Sequence, residues 1–408
     1  MAAKELCRNY HVIILEANDR LGGRMHTVEG NGFTNPVEAG AEFVHGKVPV
    51  TLGLLKKAGI EYEKTGGEMY RFNNGKWVEE EEQVDGWDEL MNAMKDLKED
   101  TTLQLFLQEY FAGEKFAKFR DQVTRFAEGF DVADIAKVSV VALRDEWVHE
   151  SGVQYRITGG YKRLIDYMAD ACLNEGCEIH TNSLVKQIDW QPNDVTVYTM
   201  DGKKYYASKV IVTVPVIMLQ KVMDKGSINF TPALDEYVHA ANQVGYGDVV
   251  KVVLEFKQPF WNKYKKDLGF IISDEWMPVW WTQLPAAAPT LTGWLGGPKA
   301  SALKHTSDEV ILQKSLQSIC TIFGMSNERM EAQITSAKVF NWAKNEFAEG
   351  AYSYATPGTK KALSLLTTPV EGTIFFAGEA ICDGPHPGTV EAALVSGKEA
   401  AGRILKAG

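Results

Sequence analysis

The stretch IILEANDRLGGRMHT, residues 13–27, decides the fold more than any other part of this 408-residue chain. It continues a short, mostly apolar run that is typical of a buried parallel strand, and Glu16 stands at the carboxyl end of that run. In a dinucleotide-binding βαβ unit, an acidic residue at this place accepts hydrogen bonds from ribose hydroxyls. Gly22 and Gly23 allow the backbone to turn close to a ligand, and Arg24 brings a permanent positive charge toward a pyrophosphate. The stretch therefore predicts a dinucleotide site.

The same stretch resembles the LEA-x-[DR]-x-x-GGR signature of the flavin-containing amine oxidases, the family of the monoamine and polyamine oxidases. The resemblance extends over essentially the whole chain. It implies an α/β fold in which a Rossmann-like FAD-binding domain is interleaved with an α+β substrate domain that carries a large sheet and flanking helices. The implied domain boundaries are 1–48, 152–228 and 345–408 for the FAD-binding domain, and 49–151 and 229–344 for the substrate domain.

One part of the expected nucleotide-binding unit is missing. The resembled family carries a strand, a G-x-G-x-x-G turn and a helix before the signature, whereas residues 1–9 supply only the second half of such a helix. Amides at the start of that helix normally bind the pyrophosphate, and the missing strand would leave a hole in the middle of a parallel sheet. We expect that the chain starts at an internal methionine. The alternative is a degenerate flavoprotein that binds a ligand or partner but oxidises nothing.

The composition is that of an ordinary globular protein. The length of 408 residues predicts two domains, because a single core rarely grows beyond about 250–300 residues. The formal net charge of −11 argues against nucleic acid as a partner. Five cysteines without a C-x-x-C pair favour a reducing compartment, and no apolar run reaches the roughly 18 residues of a membrane helix. We therefore expect a cytoplasmic protein with neither membrane nor nucleic acid as partner, although a shortened start would hide a leader. The oligomeric state stays open.

Apolar periodicity predicts alternating helices and strands along the chain. The predicted helices cover residues 51–59, several segments between 87 and about 130, 161–173, 308–323 and 389–405. The predicted strands cover residues 178–180, 183–190, 195–200, 204–207, 209–214, 249–256, 276–284, 290–295 and 373–377, and a β-hairpin covers 68–78.

The segment GAEFVHG, residues 40–46, resembles the G-A-x-W-[IV]-x-G segment of polyamine oxidases, which runs beside the flavin ring. By this resemblance Gly40 and Ala41 lie against the cofactor, and His45 places a polar side chain in the substrate channel. A neutral imidazole at this place can accept a hydrogen bond from a substrate amine. A buried histidine that is satisfied within the protein is an equally good interpretation.

Residues 245–256, GYGDVVKVVLEF, resemble the [FY]-G-x-x-x-K-[IV]-x-L-x-F strand of the family. Burying Lys251 in so apolar a strand is costly unless its ammonium meets a partner, which indicates a functional role. In the resembled family this lysine holds a water against the N5 atom of the flavin; a lysine at a surface edge is the alternative. Val185 matches, by register alone, a valine whose backbone contacts the adenine.

Trp342 and Tyr352 match the tryptophan and the first aromatic residue of the family motif W-x(7)-G-x-[YF]-S. In the family that aromatic residue stands against the flavin face, where substrate amines pass it through cation–π contacts. Monoamine oxidases carry a flavin-linked cysteine directly before it, whereas this chain has Ala351. The resemblance therefore implies non-covalent FAD.

Two short segments near the carboxyl terminus, residues 378–379 and 387–391, resemble the closing G-E…P-G-T-V-x-x-A motif of the family. Beside Gly378, Glu379 would bond the ribityl chain or bridge to the pyrophosphate. The amides of Thr389 and Val390 would begin a helix whose positive end stabilises negative charge on the flavin. Several relatives have a tyrosine where this chain has Thr389, which leaves the preference between primary and secondary amines open.

The resemblance thus implies an enzyme that oxidises a polyamine or a monoamine by hydride transfer to FAD. The imine would be hydrolysed to an aldehyde and an amine or ammonia, and O2 would reoxidise the flavin to give hydrogen peroxide. Lys251, Tyr352, Trp342, His45 and Thr389 would surround the reacting atoms, and no metal is expected. The alternatives within the same fold are an L-amino acid oxidase and an isoprenoid-type desaturase.

Overall fold

The computed structural model describes residues 1–79, 86–149, 152–221, 227–384 and 386–407. Over this part of the chain the protein is a mixed α/β structure, which confirms the predicted fold class. The helices are α1 (Ala2–Leu6), α2 (Pro49–Ala58), α3 (Trp87–Lys95), α4 (Leu103–Tyr110), α5 (Ala117–Gly129), α6 (Val140–His149), α7 (Lys162–Asn174), α8 (Val216–Gln220), α9 (Asp235–Ala241), α10 (Pro298–Ser301), α11 (Asp308–Phe323), α12 (Asn327–Glu331), α13 (Thr359–Leu366) and α14 (Val390–Ala407).

The strands are mostly short and belong to several sheets. They are β1 (Ile13–Leu15), β2 (Thr27–Val28), β3 (Val37–Glu38), β4 (Phe43–His45), β5 (Tyr62–Lys64), β6 (Glu68–Asn73), β7 (Lys76–Glu79), β8 (Gln154–Ile157), β9 (Glu178–His180), β10 (Val185–Gln191), β11 (Asp194–Thr199), β12 (Lys204–Ala207), β13 (Val210–Val212), β14 (Asn229–Thr231), β15 (Val244–Gly247), β16 (Val249–Phe256), β17 (Leu268–Ser273), β18 (Val279–Trp281), β19 (Thr290–Gly296), β20 (Ile334–Asn341), β21 (Tyr352–Ala355) and β22 (Ile374–Phe376).

Most of the predicted elements are confirmed within a few residues, because capping signals fix their ends. Helix α2 stops where Gly59 adopts the left-handed conformation with φ 62°. Helix α11 starts after Ser307, whose hydroxyl accepts a hydrogen bond from the Val310 N–H, and it ends at Gly324 with φ 60°.

The strand predicted over residues 276–284 is wrong in its extent, because β18 covers only Val279–Trp281. Strands β17 and β18 pair antiparallel, and the backbone N–H of Ser273 donates to the Pro278 carbonyl across 2.7 Å. The residues before Val279 therefore form the turn that joins the two strands, which an apolar pattern alone does not distinguish from strand.

A seven-stranded sheet in the order β20-β16-β19-β18-β17-β6-β7 carries the largest apolar core. Strand β16 lies between β20 and β19, and all of its residues are buried. Side chains alternate along a strand, so Val250, Val252 and Leu254 enter this core while Lys251 and Glu255 lie on the opposite face. Burial of these two charged side chains requires partners on that face.

The first strand of the predicted nucleotide-binding segment, β1, belongs to a parallel arrangement. Strand β1 pairs in parallel with β9, and β13 pairs in parallel with β22. Within the described ranges no strand pairs with the other edge of β1 or of β13, and both strands line one large cavity. The residues of β1 are consequently only partly buried, whereas a central strand of a parallel sheet is covered on both sides.

Helices α3 to α6 form a separate apolar cluster that extends to Tyr354 of β21. The cluster places Phe126, Phe130 and Asp131 in the wall of the same cavity. No helix in the part of the chain that the structure describes is both long and apolar enough to cross a membrane. The domain boundaries given above stay a prediction.

Candidate FAD and amine site

All the residues predicted from the sequence to bind the cofactor or the substrate line a single cavity of about 2480 Å³. Its walls come from segments that are far apart in the chain, so only the fold brings them together. The selected residues that line it are Glu16, Gly22, Gly23, Arg24, Gly40, Ala41, His45, Val185, Lys251, Trp342, Tyr352, Gly378, Glu379, Thr389 and Val390.

Glu16 follows the last residue of β1, at the carboxyl end of the strand, as predicted. Its Oε1 accepts two hydrogen bonds from Asn18, one from the backbone N–H and one from the side-chain amide, both at 2.8 Å. The chain then turns through Gly22 with φ 101° and Gly23 with φ 57°. A Cβ on Gly22 would lie only 2.6 Å from the Met25 carbonyl oxygen, so this turn requires glycine.

Arg24 and Glu379 form a partly buried ion pair, with Nη1 and Oε1 separated by 2.6 Å. The same nitrogen donates to the Ala351 carbonyl across 2.8 Å, and Glu379 Oε2 accepts a hydrogen bond from the Ser353 hydroxyl across 2.6 Å. The sequence assigned Arg24 and Glu379 separately to the cofactor. The structure couples them into one unit that joins the first cofactor segment to the last.

Gly40 lies where three segments meet. A Cβ at this position would overlap the Arg24 carbonyl and would lie 3.0 Å from a ring carbon of Trp342. Trp342 is buried, and its Nε1 donates to the Ala39 carbonyl across 2.8 Å. Gly40 is therefore needed for the close packing of the backbone against Trp342, and this packing fixes the indole at the cavity wall.

Lys251 has no exposed surface. Its Nζ donates to Glu42 Oε2 across 2.6 Å and to the Gly40 carbonyl across 3.2 Å, and it lies 5.6 Å from the centroid of the Trp281 ring. The prediction that this lysine is buried and has a partner is confirmed, and the surface-edge alternative is wrong.

Glu42 is the partner that Lys251 meets. Its other oxygen, Oε1, accepts hydrogen bonds from Trp281 Nε1 at 2.8 Å, Arg156 Nε at 3.2 Å and Gln283 Nε2 at 3.4 Å. Burial alone would raise the pKa of this carboxyl, but the charges of Lys251 and Arg156 outweigh it and lower the pKa to about 2. The carboxylate is therefore ionised at neutral pH.

Tyr352 and His45 both contact Phe130, and all three residues line the cavity. The Tyr352 hydroxyl donates to the Phe130 carbonyl across 2.6 Å, and the His45 ring meets the Phe130 ring edge-to-face at 6.4 Å. Burial lowers the pKa of His45 to about 4, and the nearby His386 acts in the same direction. The imidazole is therefore neutral at physiological pH, which is the form that can accept a hydrogen bond.

The amino end of α14 reaches the cavity as predicted. The Thr389 hydroxyl donates to the His386 carbonyl across 2.7 Å and accepts from the Ala392 N–H at 3.2 Å, so it caps the helix. The amide N–H groups of the first turn give this 18-residue helix a positive end at the cavity. Thr389 thus holds the helix end in place.

Sequence reasoning missed Glu42, Arg156 and Trp281. Glu42 is the one acidic residue within the segment GAEFVHG, and a buried Lys251 needs an anion as partner. Taken together, these two signals were enough to predict the Glu42–Lys251 pair. No local pattern marked Arg156 or Trp281, because only the pairing of β4 with β8, which sets Phe43 opposite Arg156, brings that guanidinium to the site.

Comparisons with known proteins agree with this geometry. The family model described as "Flavin containing amine oxidoreductase" matches residues 1–405. Lysine-specific histone demethylase 2 of Homo sapiens is 28% identical, over 99% of this chain and 52% of its own length. Polyamine oxidase 2 of Arabidopsis thaliana is 25% identical, over 96% of this chain and 83% of its own length. The chain spans about half the length of the first curated relatives it matches.

Solved structures show the same fold. Putrescine oxidase in its wild-type form bound to putrescine has a TM-score of 0.81 at 20% identity, covering 99% of this chain and 96% of that chain. Cyclohexylamine oxidase from Brevibacterium oxydans IH-35A has a TM-score of 0.82 at 18% identity, covering 100% of this chain and 96% of that chain.

The chain therefore belongs to the family of flavin containing amine oxidoreductases, and FAD is its cofactor. The residues present fit this group. The acid Glu16 at the end of a strand suits the ribose, and the glycine turn followed by Arg24 suits the pyrophosphate. The amino end of α14 opens into the same cavity and suits the electron-accepting ring. The cavity exceeds the roughly 300–1,000 Å³ of ordinary small-molecule sites, so it has room for a dinucleotide and a substrate.

Proposed function

We propose that this protein is an FAD-dependent amine oxidase that converts a polyamine or monoamine to an imine, which water hydrolyses to an aldehyde and an amine or ammonia. The terminal acceptor in this proposal is O2, which leaves as hydrogen peroxide. One observation carries the proposal: the buried Lys251, the aromatic pair Trp342 and Tyr352 and the predicted FAD-binding segments all line one cavity.

FAD, when bound, supplies the two-electron acceptor for oxidation of the C–N bond. On the protein side, we assign the adenosine ribose to Glu16, the pyrophosphate to the glycine turn and Arg24, and the electron-accepting ring to the region of Gly40, Lys251 and the amino end of α14. Val185 and Glu379 complete this assignment next to the adenine and the ribityl chain. None of the five cysteines lines the cavity, which supports non-covalent attachment.

For the substrate amine, the cavity offers an aromatic chamber that adjoins the region of Lys251. We use this name for Phe43, Phe130, Phe270, Trp281, Trp294 and Tyr352, all of which line the cavity. Aromatic faces attract an ammonium group and exclude water, so the chamber can bind a cationic amine and then favour its neutral form through desolvation. His45, neutral and half-buried beside Phe130, can accept a hydrogen bond from that amine.

An L-amino acid oxidase would use an arginine to hold the substrate carboxylate. Two of the arginines that line the cavity are already engaged: Arg24 with Glu379 and Arg125 with Asp121 and Asp274. Arg24 is assigned to the pyrophosphate and Arg125 is paired with two carboxylates, which counts against either of them as a clamp for a substrate carboxylate. The names of the histone demethylase relatives add a methylated lysine peptide to the amines worth testing.

The experiment is a substrate screen on purified protein loaded with FAD, with aldehyde and peroxide measured as products. Polyamines, simple monoamines, L-amino acids and a dimethyl-lysine peptide form the four arms. Turnover of a polyamine or monoamine supports the proposal, and turnover confined to amino acids or to the peptide would replace the substrate class. Retention of FAD without turnover in any arm would favour the degenerate flavoprotein.

A further inference from the structure

We propose that Glu42 is a positioning residue, which keeps Lys251 in its ammonium form and aims it at the cavity. Glu42 lies on the segment between β3 and β4, whereas Lys251 lies in the centre of β16. Both side chains are buried and both line the cavity. The kinetic part of this inference rests on the proposed amine oxidation; its spectroscopic part does not.

The ammonium of Lys251 depends on Glu42 for its charge balance. Transfer of an unpaired cation into a protein interior is strongly unfavourable, and a buried lysine without a partner loses its proton instead. Apart from Glu42, the hydrogen-bond partner of Lys251 is the neutral carbonyl of Gly40. Removal of the Glu42 charge therefore leaves the ammonium with uncharged hydrogen-bond acceptors.

Glu42 is itself held in one orientation by several donors. Trp281 Nε1 and Arg156 Nε both donate to its Oε1, so the other oxygen is left to face Lys251. Arg156 in turn donates to the carbonyls of Thr282 and Leu284, at 2.9 and 2.8 Å. Donors from β8 and β18 thus hold the carboxylate in place.

The buried cluster of Lys251, Arg156 and Glu42 also carries a net charge. Lys251 and Arg156 bring two positive charges and Glu42 brings one negative charge, so the three groups carry one net positive charge. A second acid, Glu38, lies within electrostatic range of Lys251 and Glu42; its burial raises its pKa to about 7, against the hydrogen bond from the Tyr161 N–H and the charge of Lys251. While Glu38 is protonated, the cluster keeps one positive charge, which suits a cavity in which a bound ring accepts electrons.

The test compares Glu42→Gln with a matched control, Glu255→Gln. Glu255 is also a buried acid and belongs to the same strand as Lys251, but its hydrogen bonds come from Thr34 and Thr335. Both substitutions remove one buried carboxylate and keep the side-chain shape, but only Glu42→Gln removes the charge that faces Lys251 and Arg156. Glu42→Asp restores the charge and tests rescue.

The kinetic readout is the pH profile of kcat and of kcat/KM for amine oxidation. We expect the profile of Glu42→Gln to differ from those of the wild type and of Glu255→Gln, because the Lys251 ammonium has lost its charged hydrogen-bond partner. The KM of the amine should change less than about threefold, and Glu42→Asp should recover much of the wild-type profile. A Glu38→Gln variant separates any contribution of Glu38 near neutral pH.

The spectroscopic readout is the side-chain ammonium signal of Lys251 in ¹⁵N-lysine-labelled protein, assigned by its loss in Lys251→Met. A buried, hydrogen-bonded ammonium exchanges its protons slowly, so we expect the signal in the wild type and in Glu255→Gln but not in Glu42→Gln. Absence of the signal in the wild type would overturn the inference, even if Glu42→Gln did not fold. Equal pH profiles for Glu42→Gln and Glu255→Gln would overturn it as well.

Discussion

Tyr352 combines two physical roles that substitution can separate. Its ring lies in the wall of the aromatic chamber, and its hydroxyl donates to the Phe130 carbonyl across 2.6 Å. Tyr352→Phe keeps the ring, so we expect the KM of the amine to stay near the wild-type value while the free energy of unfolding falls by about 1 kcal/mol. Tyr352→Leu removes the ring face, and we expect a KM about 5- to 30-fold higher.

Steady-state kinetics and urea unfolding of the two Tyr352 variants measure these effects. An unchanged KM in Tyr352→Leu would show that the amine does not pass this ring.

His45 links the site to the pH dependence of stability. Its pKa falls from 6.5 in an exposed histidine to about 4 in the folded protein. Between these values the unfolded chain binds a proton that the folded chain does not, so the free energy of unfolding decreases as the pH falls from about 6.5 toward 4. In His45→Gln this decrease should be smaller. Urea unfolding at several pH values measures it, and an identical slope in the variant would contradict the account.

At the level of residues, the sequence was sufficient for the groups that belong to local motifs. Gly22, Gly23 and Thr389 are required by backbone geometry, and such requirements leave a mark in the sequence. No sequence motif marks Arg156, because its position depends on strand pairing and on the carbonyls of Thr282 and Leu284, more than a hundred residues away. A sequence pattern therefore identifies the residues of a motif but not the partners that tertiary packing adds.

At the level of elements, α14 is joined to α2 by a buried carboxylate. Glu391, in the first turn of α14, accepts hydrogen bonds from the backbone N–H groups of Val50 and Thr51 and from the Thr51 hydroxyl, at 2.6–2.9 Å. It thereby caps the amino end of α2 from another helix. This contact keeps the amino end of α14 at the cavity.

Glu391→Gln replaces one of the two accepting oxygens with an amide that cannot accept. We expect the free energy of unfolding to fall by about 1–3 kcal/mol and the Kd of FAD to rise, because the end of α14 loses its anchor. Glu399→Gln is the control, since Glu399 lies on the same helix in an ion pair with Arg403 on the partly exposed surface. Calorimetry measures the stability of the two variants, and titration measures their Kd for FAD. Equal losses of stability and of FAD affinity in both variants would mean that the Glu391 cap has no specific role.

Elements with strong local signals were predicted well, and those set by their neighbours were not. The limits of α11 follow from Ser307 and Gly324, which act within one turn of the helix. The shortening of β18 depends on the turn back to β17, and the partial burial of β1 depends on the absence of a described strand along its second edge. Both facts concern pairing between segments, which apolar periodicity does not encode.

At the level of the whole molecule, the cavity exists only because distant segments converge. The cavity is lined by residues near positions 16, 40, 185, 251, 342 and 389. The chain between these positions forms several separate apolar cores. The seven-stranded sheet carries Lys251 to that wall, and the parallel strand pairs carry Glu16 and the residues after β13. The sequence predicted many of the residues that line the cavity, but it did not predict Glu42, Trp281 or the Arg156 that donates to Glu42, and the fold brings all of them together.

We propose that this convergence lets bound FAD accept electrons from an amine. The most direct measurement mixes FAD-loaded protein with an oxidisable amine in the absence of oxygen and follows the visible absorption band of the flavin. Our account predicts that the band disappears on mixing and returns when air is admitted, and that Lys251→Met slows at least one of these two phases. A protein that retains FAD but keeps its visible band with every amine would contradict the account.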